Sequence, residues 1–428
     1  MISMKRKERA VNAAIFLSSI LFSSTVALAA PAYEVINGDD SGVGSLRDAL
    51  SSDATVIVID DSVSAIAINS TLSYDEVASL KIVGSGQTVM GGDFTLLAIT
   101  EGADLTVSDL SFEGPGGYNV ENQGGGKGIF VDVPDDREGV VSLKLTNVSV
   151  SDVGYHGVHV SDCDLAVCGA GGGGGGDGSP ASVYARLVNV TIDGVGNGSF
   201  DADGVRIDDR GDGDILFQAV DSTFIGVGAD GVELDEGDDG DVIVEVRNSV
   251  FEFNGGYCAP VDPEDPPYAD DTCVEDDDGE LVLDLDDGFD IDEAGNGSLL
   301  GSIRNIWISN NLDEGLDFDE EGADGINVEL VGIEAWGNGD EGIKLSEEDG
   351  GDVIARLRSV TAAENGDDGM QIEEEGDGNL AVTVNGTVTF DNKSSKAGLK
   401  VEEFDAGDGT LKVRGSDIDS IDTNVEEI

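Results

Sequence analysis

Gly288, Gly315, Gly342 and Gly369 stand 27 residues apart. Each follows an acid (Asp287, Glu314, Glu341, Asp368) and precedes an apolar–variable–apolar triplet: Phe289-Asp290-Ile291, Leu316-Asp317-Phe318, Ile343-Lys344-Leu345, Met370-Gln371-Ile372. A fixed period of about 20 to 50 residues signals a solenoid, a propeller or an array. Within the period, apolar residues recur at every second position, as in Ile326, Val328 and Leu330, or Val353, Ala355 and Leu357. That is strand spacing, with alternate side chains on opposite faces. Each period holds three such runs separated by Gly, Asp and Asn, whereas a four-stranded propeller blade needs about 40 to 50 residues. The pattern predicts an all-β parallel β-helix, three strands per coil, each strand pairing with its equivalents above and below at roughly 4.8 Å.

Asn311, Asn338, Asn365 and Asn392 lie 23 residues past their glycines. Stacked coils would align them into a ladder of hydrogen-bonded amides at a turn, where Asn tolerates left-handed backbone. The anchoring glycines continue at Gly128, Gly157, Gly204, Gly231 and Gly398. The interval from Gly157 to Gly204 is 20 residues too long and that from Gly231 to Gly288 is 30 too long. The surplus defines two insertions, residues 163–180 with the run Gly171 to Gly176, and residues 255–284 with four prolines. Insertions in solenoids emerge as surface loops, often on a binding face.

The formal charge is −67. A chain this acidic repels phosphates, so a nucleic-acid partner is not expected. Residues 1–29 read as a secretory signal: Lys5, Arg6, Lys7 and Arg9 precede an apolar run and the small-residue site Ala27-Leu28-Ala29. Its removal takes four basic residues and one acid, leaving −70. No later stretch is long and apolar enough to span a membrane, so the expected location is extracellular, cell-surface or periplasmic. Export permits disulfides. Each insertion holds two cysteines, and the expected pairs are Cys163–Cys168 and Cys258–Cys273. No His/Cys set beside either pair suits zinc.

Residues 37–50 read Asn-Gly-Asp-Asp-Ser-Gly-Val-Gly-Ser-Leu-Arg-Asp-Ala-Leu. This stretch resembles the N-terminal capping motif of exported bacterial right-handed β-helix proteins of the pectate-lyase-like type. The resemblance implies a short strand and a capping helix over the first coil, with Ser45 as helix N-cap. It extends through the strand-like segments 55–60, 80–86 and 105–112. It implies fold and export rather than activity, since that group includes surface proteins, adhesins and carbohydrate-active enzymes. The expected division is a cap at 30–54, a β-helix at 55–418 and an acidic tail at 419–428.

Three acidic columns follow from the repeat. Four residues past the glycines stand Asp208, Asp235, Asp292, Asp319, Ser346, Glu373 and Glu402; one further on stand Asp209, Glu236, Glu293, Glu320, Glu347, Glu374 and Glu403. Immediately before the glycines stand Asp203, Asp230, Asp287, Glu314, Glu341 and Asp368. Carboxylates about 5 Å apart along a column repel. Calcium, with Ca–O distances of about 2.3 to 2.6 Å, spans one rung. The densest group, Glu233, Asp235, Asp290, Asp292, Asp317 and Asp319, is the expected calcium site, although neither an EF-hand loop nor a nonapeptide calcium repeat is present. Residues two past the glycines are expected to face outward and mix signs: His159, Arg206, Glu233, Asp290, Asp317, Lys344, Gln371 and Lys400. Such a face is similar to that of pectate-lyase-like enzymes, in which calcium acidifies a uronate and a basic residue removes the C5 proton; the resemblance would assign the base to Arg206 or Lys344, with His159 as a lesser candidate. No Ser/His/Asp or Cys/His nucleophile set and no phosphate-cradling loop is visible.

The sequence thus predicts an exported right-handed parallel β-helix. The leading functional expectation is a non-catalytic protein that uses calcium to adhere to a polysaccharide or cell-surface component. The alternatives are a lyase or related enzyme acting on a uronate polymer, and a scaffold whose acidity suits it to salt.

Overall fold

The computed structural model describes residues 32–119, 121–163, 178–257, 286–404 and 406–428. The expected signal segment, most of both insertions, and Cys168, Cys258 and Cys273 lie outside the described residues. Cys163 is buried and is not a free thiol.

The strands build two parallel sheets, of 12 and 19 strands. The short run after each glycine supplies the 12-stranded sheet, and the other two runs of each coil supply the second. Val205, Val232, Phe289, Leu316 and Ile343 occupy successive rungs of one column. Register is unbroken across the insertions: His159 pairs with Arg206 and Glu233 with Asp290, although 47 and 57 residues separate them in sequence. The chain is therefore a parallel β-helix, and each coil contacts its neighbours through columns of like positions.

Alternation fills the interior with Val, Ile, Leu and a run of phenylalanines. The rings of Phe224 and Phe251 stack at 4.8 Å, Phe251 and Phe289 at 5.5 Å, and Phe289 meets Phe318 edge-on at 5.3 Å. At one corner Asn254, Asn311, Asn338 and Asn365 each donate from Nδ2 to the Oδ1 of the next asparagine at 3.0–3.1 Å, ending on Asn392. The same Oδ1 atoms accept the backbone N–H groups of the preceding asparagines, so this buried turn leaves few polar groups unmatched.

At the N-terminal end, Ala32–Val35 pairs with Val56–Ile59. The helix Leu46–Leu50 buries Leu46, Ala49 and Leu50, and the Ser45 hydroxyl caps it by accepting the Asp48 N–H at 3.2 Å. At the other end, Ile421–Thr423 and Glu426–Glu427 add a further rung to the two sheets. No helix among the described residues is long and apolar enough to cross a membrane.

Candidate functional site

The outer face of the 12-stranded sheet carries the charged columns. Strand alternation turns positions two and four past each glycine away from the apolar interior. Outward here does not mean exposed: Arg206 is 0% exposed, His159 1%, and Asp208 and Asp235 are also buried. The side chains lie over one another along the columns and form ion pairs, which removes them from water.

The face divides into three stretches. In the first, Lys127, two coils before Arg206, approaches His159 Nδ1 with its ammonium group and lies 4.2 Å from the centre of the Phe130 ring. His159 Nε2–H donates to Asp208 Oδ2 at 2.6 Å, and Arg206 Nε donates to Asp208 Oδ1 at 2.7 Å. Arg206 also bonds Glu233 and, at 2.9 Å, Asp235, with Asp201 and Asp203 at 3.4 and 3.5 Å. Arg210 adds a second cation on Asp235. Burial, then the Lys127 charge, pushes His159 down to about 3, so its imidazole is neutral at neutral pH. Burial likewise brings Lys127 down to about 8.

In the third stretch Lys344 serves the acids. Its ammonium lies 2.7 Å from Asp317, 3.3 Å from Asp319 and 3.9 Å from Glu314. Burial opposes that charge, but the three carboxylates outweigh it and hold Lys344 above its ordinary range. Lys400 plays the same part for Glu373 and Glu402 higher up.

Between them lies a stretch with no cation. Asp290 and Asp292 accept no hydrogen bond and pair with no basic side chain among the described residues. Asp290 belongs to two overlapping triads, Glu233–Asp290–Asp292 and Asp287–Asp290–Asp317, whose ligand oxygens lie within 4.8 Å of one another. Two unit charges at that spacing repel by roughly 3 to 4 kcal/mol at an effective dielectric near 20. Burial and then the neighbouring acids, Asp292 first, push Asp290 far above the ordinary carboxyl range; burial and then Asp235 bring Asp292 up to about 7.

Of the six expected calcium ligands, the triads bring together Glu233, Asp290, Asp292 and Asp317. Asp235, held by two arginines, and Asp319, held by Lys344, fall outside the triads; Glu233 and Asp317 lie inside them and at the same time pair with Arg206 and Lys344. Asp287, which the sequence places in the column before the glycines, joins the group. Among the candidate bases, Arg206 is inaccessible and shared among five carboxylates, Lys344 is held charged by three acids, and His159 has both ring nitrogens engaged. Sequence reasoning missed Lys127; its position just before Gly128, in the column of Asp203 and Asp287, was the available signal.

No protein-family model matches the chain, and no curated protein sequence matches it. Among solved structures it is similar to ORF18 of Geobacillus virus E2, with 10% identity and a TM-score of 0.40 over 89% of this chain, which spans 61% of that one. It is also similar to the A-module of the mannuronan C-5 epimerase AlgE6 of Azotobacter vinelandii, with 10% identity and a TM-score of 0.42 over 92% of this chain and 99% of that one. A third likeness is to the Streptococcus pneumoniae surface protein and adhesin PfbA, with 11% identity and a TM-score of 0.35 over 93% and 98% of the two chains. Likenesses this distant carry no inference about activity.

Proposed function

We propose that this is an exported, non-catalytic β-helix protein that holds calcium on its acidic face and binds a polysaccharide or cell-surface component through it. The observation that carries the reading is the Asp290 cluster. Arg206 neutralises the acids on one side and Lys344 those on the other, while Asp287, Asp290 and Asp292 between them have no cation. Hard oxygen donors in a partly buried group suit calcium, which takes six to eight such ligands at about 2.3 to 2.6 Å. Glu233, Asp287, Asp290, Asp292 and Asp317 would hold it, and coordination sites left over would accept oxygens of a bound glycan.

The test is Asp290→Asn. In chelator the variant should melt above the parent chain, because one member of a repelling group is gone. In millimolar calcium the parent should rise, by about 2.7 kcal/mol in stability at a hundredfold excess over Kd, while the variant should not respond. Retention of the parent chain on immobilised polysaccharides should require calcium. Equal melting of the parent in calcium and in chelator sinks the reading. Release of unsaturated sugars from a uronate polymer would turn it towards the lyase alternative.

A further inference from the structure

The fifth residue past the glycine is an acid in successive coils: Asp209, Glu236, Glu293, Glu320, Glu347, Glu374 and Glu403. An odd offset turns these side chains to the interior side of the strand. They sit in register from coil to coil, and Glu320, Glu347 and Glu374 are 0% exposed. This column lies on the opposite side of the strand from the calcium cluster, and its argument is independent of that reading.

In the upper part of the column each glutamate has two unlike oxygens. Glu347 Oε1 accepts the N–H groups of Gly350, at 3.0 Å, and Gly351. Glu374 Oε1 accepts those of Gly376 at 3.0 Å and Gly378 at 2.8 Å. One oxygen thus caps the turn that follows the strand. The other oxygen of each, and both oxygens of Glu320, are buried and receive no hydrogen bond. The charged groups facing Glu347 are Glu320 and Glu374; those facing Glu374 are Glu347 and Glu403; those facing Glu320 are Glu293, Glu347 and Asp324. No Lys, Arg or His among the described residues pairs with any of the three. Ionised carboxylates cannot bond one another, so this column needs an added positive species between its rungs.

We propose that Glu347 and Glu374, continued by Glu320, form a proton-sharing ladder: at neutral pH a protonated carboxyl on one coil donates to the uncapped oxygen of the next. Stoichiometry favours the proton over a metal ion. Each rung offers one free oxygen or two, far from the six to eight that calcium takes, and two oxygens suit one hydrogen bond. The electrostatics agree. Burial, with the neighbouring carboxylates, brings Glu347 up to about 7 and Glu320 up to about 8, and raises Glu374. These folded values exceed the unfolded glutamate value of about 4.3. The ladder's stabilisation is therefore complete below that value and is lost as pH rises through about 7 to 8. Upper coils held this way loosen in alkaline medium.

The test is the melting of the full chain from pH 5 to pH 9, in chelator at fixed ionic strength, against Glu347→Gln and Glu374→Gln. A glutamine amide supplies the bridging hydrogen at every pH. The parent should lose stability across this range. Each variant should lose less, the folding equilibrium of Glu347→Gln falling about tenfold less per pH unit between pH 5 and 7, and each should melt above the parent at pH 9. Should a variant fail to fold, infrared spectra of the native parent labelled with 13C-glutamate decide the matter. A protonated glutamate carboxyl band at pH 7 that disappears by pH 9 supports the ladder, and its absence at pH 7 overturns it. An unchanged pH slope in well-folded variants also overturns it. So does a salt ion that restores the parent at pH 9 and has no effect on Glu347→Gln, since the column would then hold that ion.

Discussion

Replacing Arg206 by methionine removes the cation around which the first stretch of the charged face is arranged. The guanidinium bonds Asp208 at 2.7 Å and Asp235 at 2.9 Å, contacts Glu233, and has Asp201 and Asp203 at 3.4 and 3.5 Å. Methionine keeps most of the volume, so the loss is electrostatic rather than a cavity. Removing one partner from a buried ion pair costs about 3 to 5 kcal/mol, because the other charge stays buried and unmatched. Arg210 retains Asp235 and His159 retains Asp208, which argues for that range rather than several times it. A change of 1 kcal/mol moves the midpoint of a cooperative unit of 150 to 250 residues by about 2 to 4 °C, so the variant should melt roughly 10 °C lower at pH 7. The pH dependence follows from Asp208. Burial alone would raise its pKa, but the Arg206 charge, with His159, holds it well below the ordinary value. A depressed folded pKa gives stability that is present above the unfolded value of about 3.9 and lost as pH falls through the folded one. Without Arg206 burial prevails and Asp208 takes up its proton at a higher pH than in the parent, so the gap between parent and Arg206→Met should be widest at neutral pH and narrow as pH falls to about 4. The assay is calorimetry of both chains in chelator over that range. A gap under about 1 kcal/mol at pH 7, or one that widens in acid, would show that Arg206 does not hold these carboxylates.

Other perturbations test the frame. Asn338→Ala deprives the Asn311 amide and backbone N–H of their shared acceptor, and should cost about 2 to 4 kcal/mol by denaturant titration. Phe289→Ala, in the middle of the ring stack, should cost about 3 to 5 kcal/mol. Gly378→Ala should cost about 3 kcal/mol or fail to express, since the added carbon would stand 1.7 Å from the Gly351 carbonyl oxygen and 2.7 Å from Glu374 Oε1. An Asn338→Ala chain as stable as its parent would remove the asparagine column from the account of the fold.

The coil was legible because Gly288, Gly315, Gly342 and Gly369 answer to a backbone constraint that recurs in every turn. A β-carbon on Gly315 would stand 2.4 Å from the Gly342 carbonyl oxygen, and the same approach repeats along the column. The residues of the charged face were legible as columns, but their burial was not. Alternation tells which way a side chain points, and only the full set of neighbours tells whether water reaches it. Arg206 reads in sequence as one surface charge among many; its environment is assembled from Asp201, Asp203, Asp208, Glu233 and Asp235, and two of these belong to the next coil. The burial of the inner glutamates was hidden for a different reason. Their odd offset indicated the interior, but an acid in an acidic chain reads as solvated. The overlooked signal was a glycine four residues on: Glu236 with Gly240, Glu293 with Gly297, Glu347 with Gly351, Glu374 with Gly378 and Glu403 with Gly407. That spacing marks a carboxylate folded back onto its own turn.

The asparagine column has a direction, each amide handing a hydrogen to the coil above, and the rings, glutamates and glycines are indexed to the same count. Such a molecule keeps every column in phase when it changes length by whole coils. A single-residue deletion between Asn311 and Asn338 would put every column above it out of phase with every column below. Loss or duplication of a complete coil would leave each donor facing an acceptor and each ring facing a ring. Sequence added between equivalent positions, as between Glu233 and Asp290, leaves the register untouched because both ends keep the same index. Copying or excising an entire turn is thus the change of length that this architecture tolerates with all its columns intact.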